Sequence, residues 1–158
     1  MDPHARKIAL RKIPHGLFVV GVAHNGQCSA FTGTWLTQAS FTPPLVVLGV
    51  KKETLSYRLI EQGRVFCVNV LGKDQQSIAE HFVKPTAAAG PKLTGYAHRS
   101  GTTGAPILED AIAYFECEVR EISPGGDHAV VIGEVVDAGV RQDVEPLTLK
   151  DTGWQYGG

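Results

Sequence analysis

Residues 13–50 contain no Asp, Glu, Lys or Arg, yet they carry Asn25, Gln27, Ser29, Thr32, Thr34, Thr37, Gln38, Ser40 and Thr42. Such a stretch offers hydrogen-bonding groups without fixed charge, which is what a flat heteroaromatic ligand with polar edges asks of a binding wall. Directly after it stand Lys51, Lys52 and Thr54, placed to receive a phosphate at the start of a helix. A structural reading competes with this one: a buried strand pair whose hydroxyls bond to backbone, then two solvated lysines and a capping threonine. On the residues alone both readings stand.

Other chemistry is poorly represented. The chain has no G-x-S-x-G, no H-E-x-x-H, no G-x-x-x-x-G-K-[ST] and no G-x-G-x-x-G, so the common hydrolase, zinc, phosphate-loop and dinucleotide patterns are missing. The six histidines include no pair one helical turn apart, and the cysteines do not supplement them, so no metal site is expected. Among the acids, Glu109-Asp110 and Glu116/Glu118 read as solvated charge, the latter pair on the wet face of a strand. Cys28, Cys67 and Cys117 are widely spaced and odd in number, which suits reduced thiols in a cytoplasm. The N-terminal residues lack the basic and apolar regions of a secretory leader, and the longest aliphatic run falls far short of a membrane span. Fifteen Lys plus Arg against sixteen Asp plus Glu give a net charge of −1. No positive field therefore draws the chain to nucleic acid or to an anionic membrane. At 158 residues, 43% of them hydrophobic, one domain with an ordinary core is expected.

The elements that must position the uncharged stretch follow from periodicity. Residues 3–12 read as a short helix with Pro3 in its first turn. A β-branched and aromatic run over 16–23, followed by Asn25-Gly26, predicts a hairpin. Strands are expected at 45–50 and 65–70, separated by a helix over 53–62 that Gly63 ends. Asp74 is expected to cap another helix, with Ile78, Ala79, Phe82 and Val83 on one buried face and Pro85 as its stop. Between Pro85 and Pro106 no period is visible, so a long surface loop is expected. Alternation from Ala113 to Arg120 predicts a half-buried strand. After the Pro124-Gly125-Gly126-Asp127 turn, residues 128–136 predict a strand buried on both sides. Six short, mostly antiparallel strands with inserted helices point to a closed or nearly closed β-barrel.

The segment Thr32-Gly33-Thr34-Trp35-Leu36-Thr37-Gln38-Ala39-Ser40-Phe41-Thr42-Pro43-Pro44-Leu45-Val46 resembles the signature of the flavin reductase-like family, whose fold is an FMN-binding split β-barrel. Three further segments agree in order and spacing: residues 63–71, residues 126–135 with their Gly126-Asp127-His128 turn, and the closing Pro146-Leu147 and Gly153-Trp154-Gln155-Tyr156-Gly157. Together they span nearly the whole chain. Many members carry Ala-Asn-Ser-Phe where this chain has Gly33, Thr34, Trp35 and Leu36, and a serine at Gln38. The Trp35 form is similar to the subgroup of reductase domains attached to flavodiiron proteins.

The resemblance implies a mainly β, antiparallel split barrel with inserted short helices, forming a homodimer with one FMN per subunit near the interface. It implies that Thr32, Thr34, Trp35, Leu36, Thr37, Gln38, Ala39 and Ser40 line the isoalloxazine and ribityl chain. Lys51, Lys52 and Thr54 would hold the phosphate, with Lys84 a further candidate, and His128, near flavin and nicotinamide, would be the catalytic residue. The activity implied is hydride transfer from NAD(P)H to FMN, with FAD as the alternative flavin. Electrons would pass on to free flavin, oxygen, or an oxygenase or flavodiiron partner. Two other classes remain open: an FMN-binding electron carrier without direct NAD(P)H activity, and a dimeric module for another planar ligand.

Overall fold

The turn at Asn25-Gly26 sets the first register. In the computed structural model, which describes residues 1–83, 86–88, 92–93 and 95–158, Asn25 and Gly26 both adopt left-handed backbone, with φ of 48° and 77°. Asparagine tolerates that region and glycine prefers it, so the pair closes a tight hairpin whose twist matches its strands. Those strands are β1 (Phe18–His24) and β2 (Gln27–Gly33), paired from Phe18 opposite Gly33 to His24 opposite Gln27.

The remaining long strands extend this hairpin by antiparallel pairing: β3 (Leu36–Phe41), β4 (Pro44–Lys51), β5 (Val65–Val70), β6 (Thr86–Ala88), and later β10 (Ala113–Ser123) and β11 (His128–Val140). Among the described residues they form one eight-stranded sheet in the order β3-β4-β11-β10-β5-β1-β2-β6. Val20, Val22, Leu48, Val50, Phe66, Val68, Cys117 and Val131 share a buried cluster, so strands far apart in that order meet across one core and the sheet curls as a split barrel does. The strand expected at 65–70 has those bounds, and the first two of the three expected helices form as α1 (Pro3–Leu10) and α2 (Leu55–Gly63).

Several expectations are corrected. Asp74 caps nothing: Gln75 occupies the N-cap of α3 (Gln76–His81), and its side-chain oxygen accepts from Gly72 N at 2.9 Å. Ile78, Ala79 and Phe82 are buried, but Val83 is 56% exposed; the expected stop at Pro85 lies outside the described residues. The expected loop over 85–106 instead contains β6 and a second sheet of β7 (Lys92–Leu93), β8 (Tyr96–Ser100) and β9 (Pro106–Leu108). Strands of two to five residues are too short to display a period,. A buried amide secures this second sheet. Asn69 on β5 accepts from Leu108 N at 2.7 Å and donates to Val19 O and Pro106 O at 3.2 Å, which satisfies the side chain fully inside the core.

Glu116 is not on a wet face either. It keeps the alternation of its strand, on the face it shares with Tyr114 and opposite Cys67 of β5, but residues 102–103 cover that face, so the carboxylate is fully buried. There it accepts from Thr102 N at 2.9 Å, Thr103 N at 2.8 Å and Thr103 Oγ1 at 2.6 Å. Burial, then the neighbouring Glu116 charge, push the Cys117 thiol up to about 12. Finally, β11 is not buried on both faces within one chain. Val131 is enclosed, whereas Val130, Val136 and Val140 are exposed by 40%, 37% and 73%.

Candidate functional site

The uncharged segment becomes one side of a cavity because its two halves are clamped differently. At the end of β2, Thr32 N donates to Phe82 O at 2.8 Å and Thr32 Oγ1 donates to Ala79 O at 2.6 Å. That ties the strand to α3 and spends the Thr32 proton on structure. Trp35 then turns out of the strand, its carbonyl accepting from Gly49 N at 2.8 Å. A Cβ at Gly49 would stand only 3.1 Å from Trp35 Cβ and Cε3, so the indole lies directly on glycine backbone.

Opposite Trp35 stands the C-terminal tail, which follows the short helix α4 (Leu149–Thr152). Arg11 Nε donates to Gly157 O at 3.0 Å, and Arg11 Nη1 donates to Gln155 Oε1, so the tail is fastened to the segment after α1. The Trp35 ring centroid lies 4.6 Å from that of His128 and 5.2 Å from that of Tyr156. His128 is held through both ring nitrogens: Nδ1 lies 3.0 Å from Asp127 Oδ1 and Nε2 lies 2.9 Å from Tyr156 Oη. The imidazole keeps the Asp127 carboxyl below the usual carboxylate range. Burial, and then the Asp127 charge, raise the Tyr156 phenol above its ordinary value.

These residues enclose about 570 Å³ between Phe31–Trp35, Gly49–Lys51, Thr54, Val83, His128 and the tail residues Trp154–Tyr156. A more open groove of about 860 Å³ lies beyond the same three rings, against Arg6, Leu10 and Ile13. One end of the cavity is built for an anion. Thr54 is the N-cap of α2, accepting from Tyr57 N at 3.1 Å and donating to Lys51 O at 2.8 Å. The helix therefore presents its positive end beside the Lys51 side chain, with no acidic residue in its first turn,. Near the rings, Thr34 Oγ1 is buried and has no hydrogen-bond partner among the described residues. A buried hydroxyl left in that condition is costly, and a ligand with polar edges would relieve it.

The structure thus brings Thr32, Thr34, Trp35, Lys51, Thr54 and His128 to one cavity. Leu36, Thr37, Gln38, Ala39 and Ser40 run on along the edge strand β3, and Lys52, whose N–H donates to Asp127 O at 3.1 Å, is not part of the cavity wall. Lys84 lies outside the described residues. Tyr156, Gln155 and Trp154 were not anticipated as wall residues. Two aromatic residues in an otherwise small and polar tail were the available signal. Among the described residues no cluster of His, Cys, Asp or Glu is arranged to hold a metal, and no helix is long and apolar enough to cross a membrane.

A curled antiparallel sheet enclosing a ring-sized cavity, with a cationic helix end at one side of it, defines the class of flavin-binding split barrels. Residues 10–158 match the family model described as flavin reductase like domain, and the chain belongs to that family. The reductase subunit HsaB of a flavin-dependent monooxygenase from Mycobacterium tuberculosis is 31% identical over 149 residues, covering 94% of this chain and 78% of HsaB. A putative diflavin flavoprotein A 3 from Synechocystis is 33% identical over 151 residues, 94% of this chain. The chain spans about 25% of that flavoprotein's length. Among solved structures, an NADH:FAD oxidoreductase from Streptomyces globisporus superposes with a TM-score of 0.79 at 28% identity, over 92% of this chain and 84% of its own.

Proposed function

We propose that this chain is an NAD(P)H-dependent flavin reductase that holds FMN, or FAD as the alternative flavin, in the cavity between Trp35 and the C-terminal tail. The observation that carries this reading is the pairing of the orphaned Thr34 hydroxyl with the Lys51 and α2 anion cradle in one cavity. That is a polar-edged ring site with a phosphate seat. A bound flavin supplies the hydride acceptor and passes its electrons onward. The chain's own part is binding and shaping. Lys51 and the α2 N-terminus hold the phosphate, Thr34 bonds the polar edge of the ring system, and Leu17, Val83 and Leu149 exclude water from its apolar side. No side-chain acid or base is required for hydride transfer itself, so the protein's contribution is orientation and electrostatics.

The names of two relatives support a partner for the reduced flavin. HsaB is a monooxygenase reductase subunit and the Synechocystis relative is a diflavin flavoprotein, so an oxygenase or a flavodiiron-type protein is the proposed recipient. A cytoplasmic setting is proposed on the reduced, buried Cys67 and Cys117,. A homodimer is proposed because Val130 and Val136 leave exposed apolar surface along β11,. A second copy on that surface would place the edge-strand residues Leu36, Thr37, Gln38, Ala39 and Ser40 at the subunit boundary. Val136→Glu is expected to convert the dimer to monomer, read as a halved mass in light scattering; an unchanged mass would place the interface elsewhere.

The reading is tested by anaerobic mixing of FMN-saturated protein with NADH and, separately, with NADPH, following the oxidised flavin absorption. Rapid bleaching with either nucleotide is expected, and the faster of the two names the donor. Flavin that stays bound and oxidised under both would overturn reductase activity and leave an electron carrier.

A further inference from the structure

The hydrogen bonds around His128 have a direction, and it determines which atom meets the ligand. The Asp127 carboxylate only accepts, so the proton between it and the imidazole sits on Nδ1,. In the neutral ring Nε2 is then an acceptor, and its partner at 2.9 Å is the Tyr156 phenol, which keeps its proton because burial and Asp127 raise its pKa. The phenol therefore spends its only proton on Nε2. Both imidazole nitrogens are engaged, and what remains free at the cavity wall is a lone pair on Tyr156 Oη.

We propose that Tyr156 is the residue of this set that contacts the ligand, accepting a hydrogen bond from an amide-type N–H, and that Asp127 and His128 are positioning residues acting through it. The proposal rests on the reading of the cavity as a flavin site. Two bound rings could supply such an N–H: the imide of the isoalloxazine or the carboxamide of the nicotinamide. Tyr156 lines both the main cavity and the neighbouring groove, so either is within the chemistry offered. The tail's attachment through Arg11 to Gln155 and Gly157 fixes the phenol on both sides in sequence, which gives an acceptor at the end of an otherwise mobile kind of segment a defined place.

The test uses Tyr156→Phe, His128→Gln and the double variant. Dissociation constants are measured for FMN with the flavin-free protein, and for NAD⁺ with the FMN-loaded protein. Tyr156→Phe keeps the ring beside Trp35 and removes only the oxygen. It is expected to weaken one of the two ligands by about fivefold to tenfold, the worth of one hydrogen bond. The ligand affected identifies the N–H donor. His128→Gln is expected to weaken that same ligand, but to add nothing in the Tyr156→Phe background, since a residue acting through the phenol has no effect without it. A ¹⁵N spectrum of the unaltered protein, recorded at about pH 8.5 where an ordinary histidine with pKa about 6.5 is neutral, is expected to show the His128 proton on Nδ1. Equal binding of both ligands by Tyr156→Phe, additive losses in the double variant, or a proton on Nε2 would each overturn the proposal while leaving the flavin site intact. Failure of the unaltered chain to bind any flavin would end both.

Discussion

A Thr34→Val variant is expected to melt higher than the parent chain when empty and to bind FMN more weakly. The opposite signs are the point of the experiment. Thr34 Oγ1 is buried without a partner among the described residues, so the empty protein bears the desolvation cost of a hydroxyl, about 1–3 kcal/mol. Valine has nearly the same shape and no such cost. About 1 kcal/mol of that cost recovered would raise the melting temperature by about 2–4 °C for a chain of this size. Binding should respond the other way, because the hydroxyl's hydrogen bond to the flavin edge would be gone, a loss of about fivefold to tenfold in affinity. Differential scanning calorimetry with and without FMN reads both effects. A variant that is less stable when empty and binds FMN normally would show that Thr34 serves the fold, not the ligand.

Glu116→Ala carries the largest expected loss of stability. Its carboxylate is fully buried and collects Thr102 N, Thr103 N and Thr103 Oγ1, so truncation strands three donors and opens a hole in a closed strand. Urea unfolding is expected to show a loss of about 3–5 kcal/mol, with Glu116→Gln intermediate, since the amide keeps one acceptor but turns an N–H₂ toward other donors. Equal stability of the alanine variant would mean that water replaces the carboxylate at the 102–103 loop. The proposed flavin cavity does not involve Glu116, so flavin affinity of the folded fraction should hold.

What the sequence made legible were features with local causes. Asn25-Gly26 specifies its own backbone, the apolar run at 65–70 specifies a central strand, and Thr54 can cap only a helix that starts there. Features with distant causes were hidden. Glu116 sits in strict alternation as a wet residue would, and only the 102–103 segment, which the residue types do not bring to it, covers its face. The short strand β9 is held by Asn69, whose amide reaches it from another part of the chain. Val130 and Val136 mark the strand as doubly apolar, but the chain by itself covers only one side. In the site, the family-like segment pointed to Trp35 and the stretch after the next strand to Lys51, while Tyr156 reaches the wall only through a tail that folds back onto His128, a path with no mark in residue types.

That fold-back also brings the two ends of the described chain together. Arg11 holds Gly157, and Gly158 rests against Lys7, while the Asn25-Gly26 hairpin tip is exposed. Linking residues 1 and 158 and opening the chain at that tip would give a permuted form of this domain in which no sheet pairing other than the hairpin's own closure need change. In such a permuted protein the tail would become a bridge anchored at both ends. Ligand exchange that depends on the tail swinging aside would then slow, while the barrel beneath it remained the same.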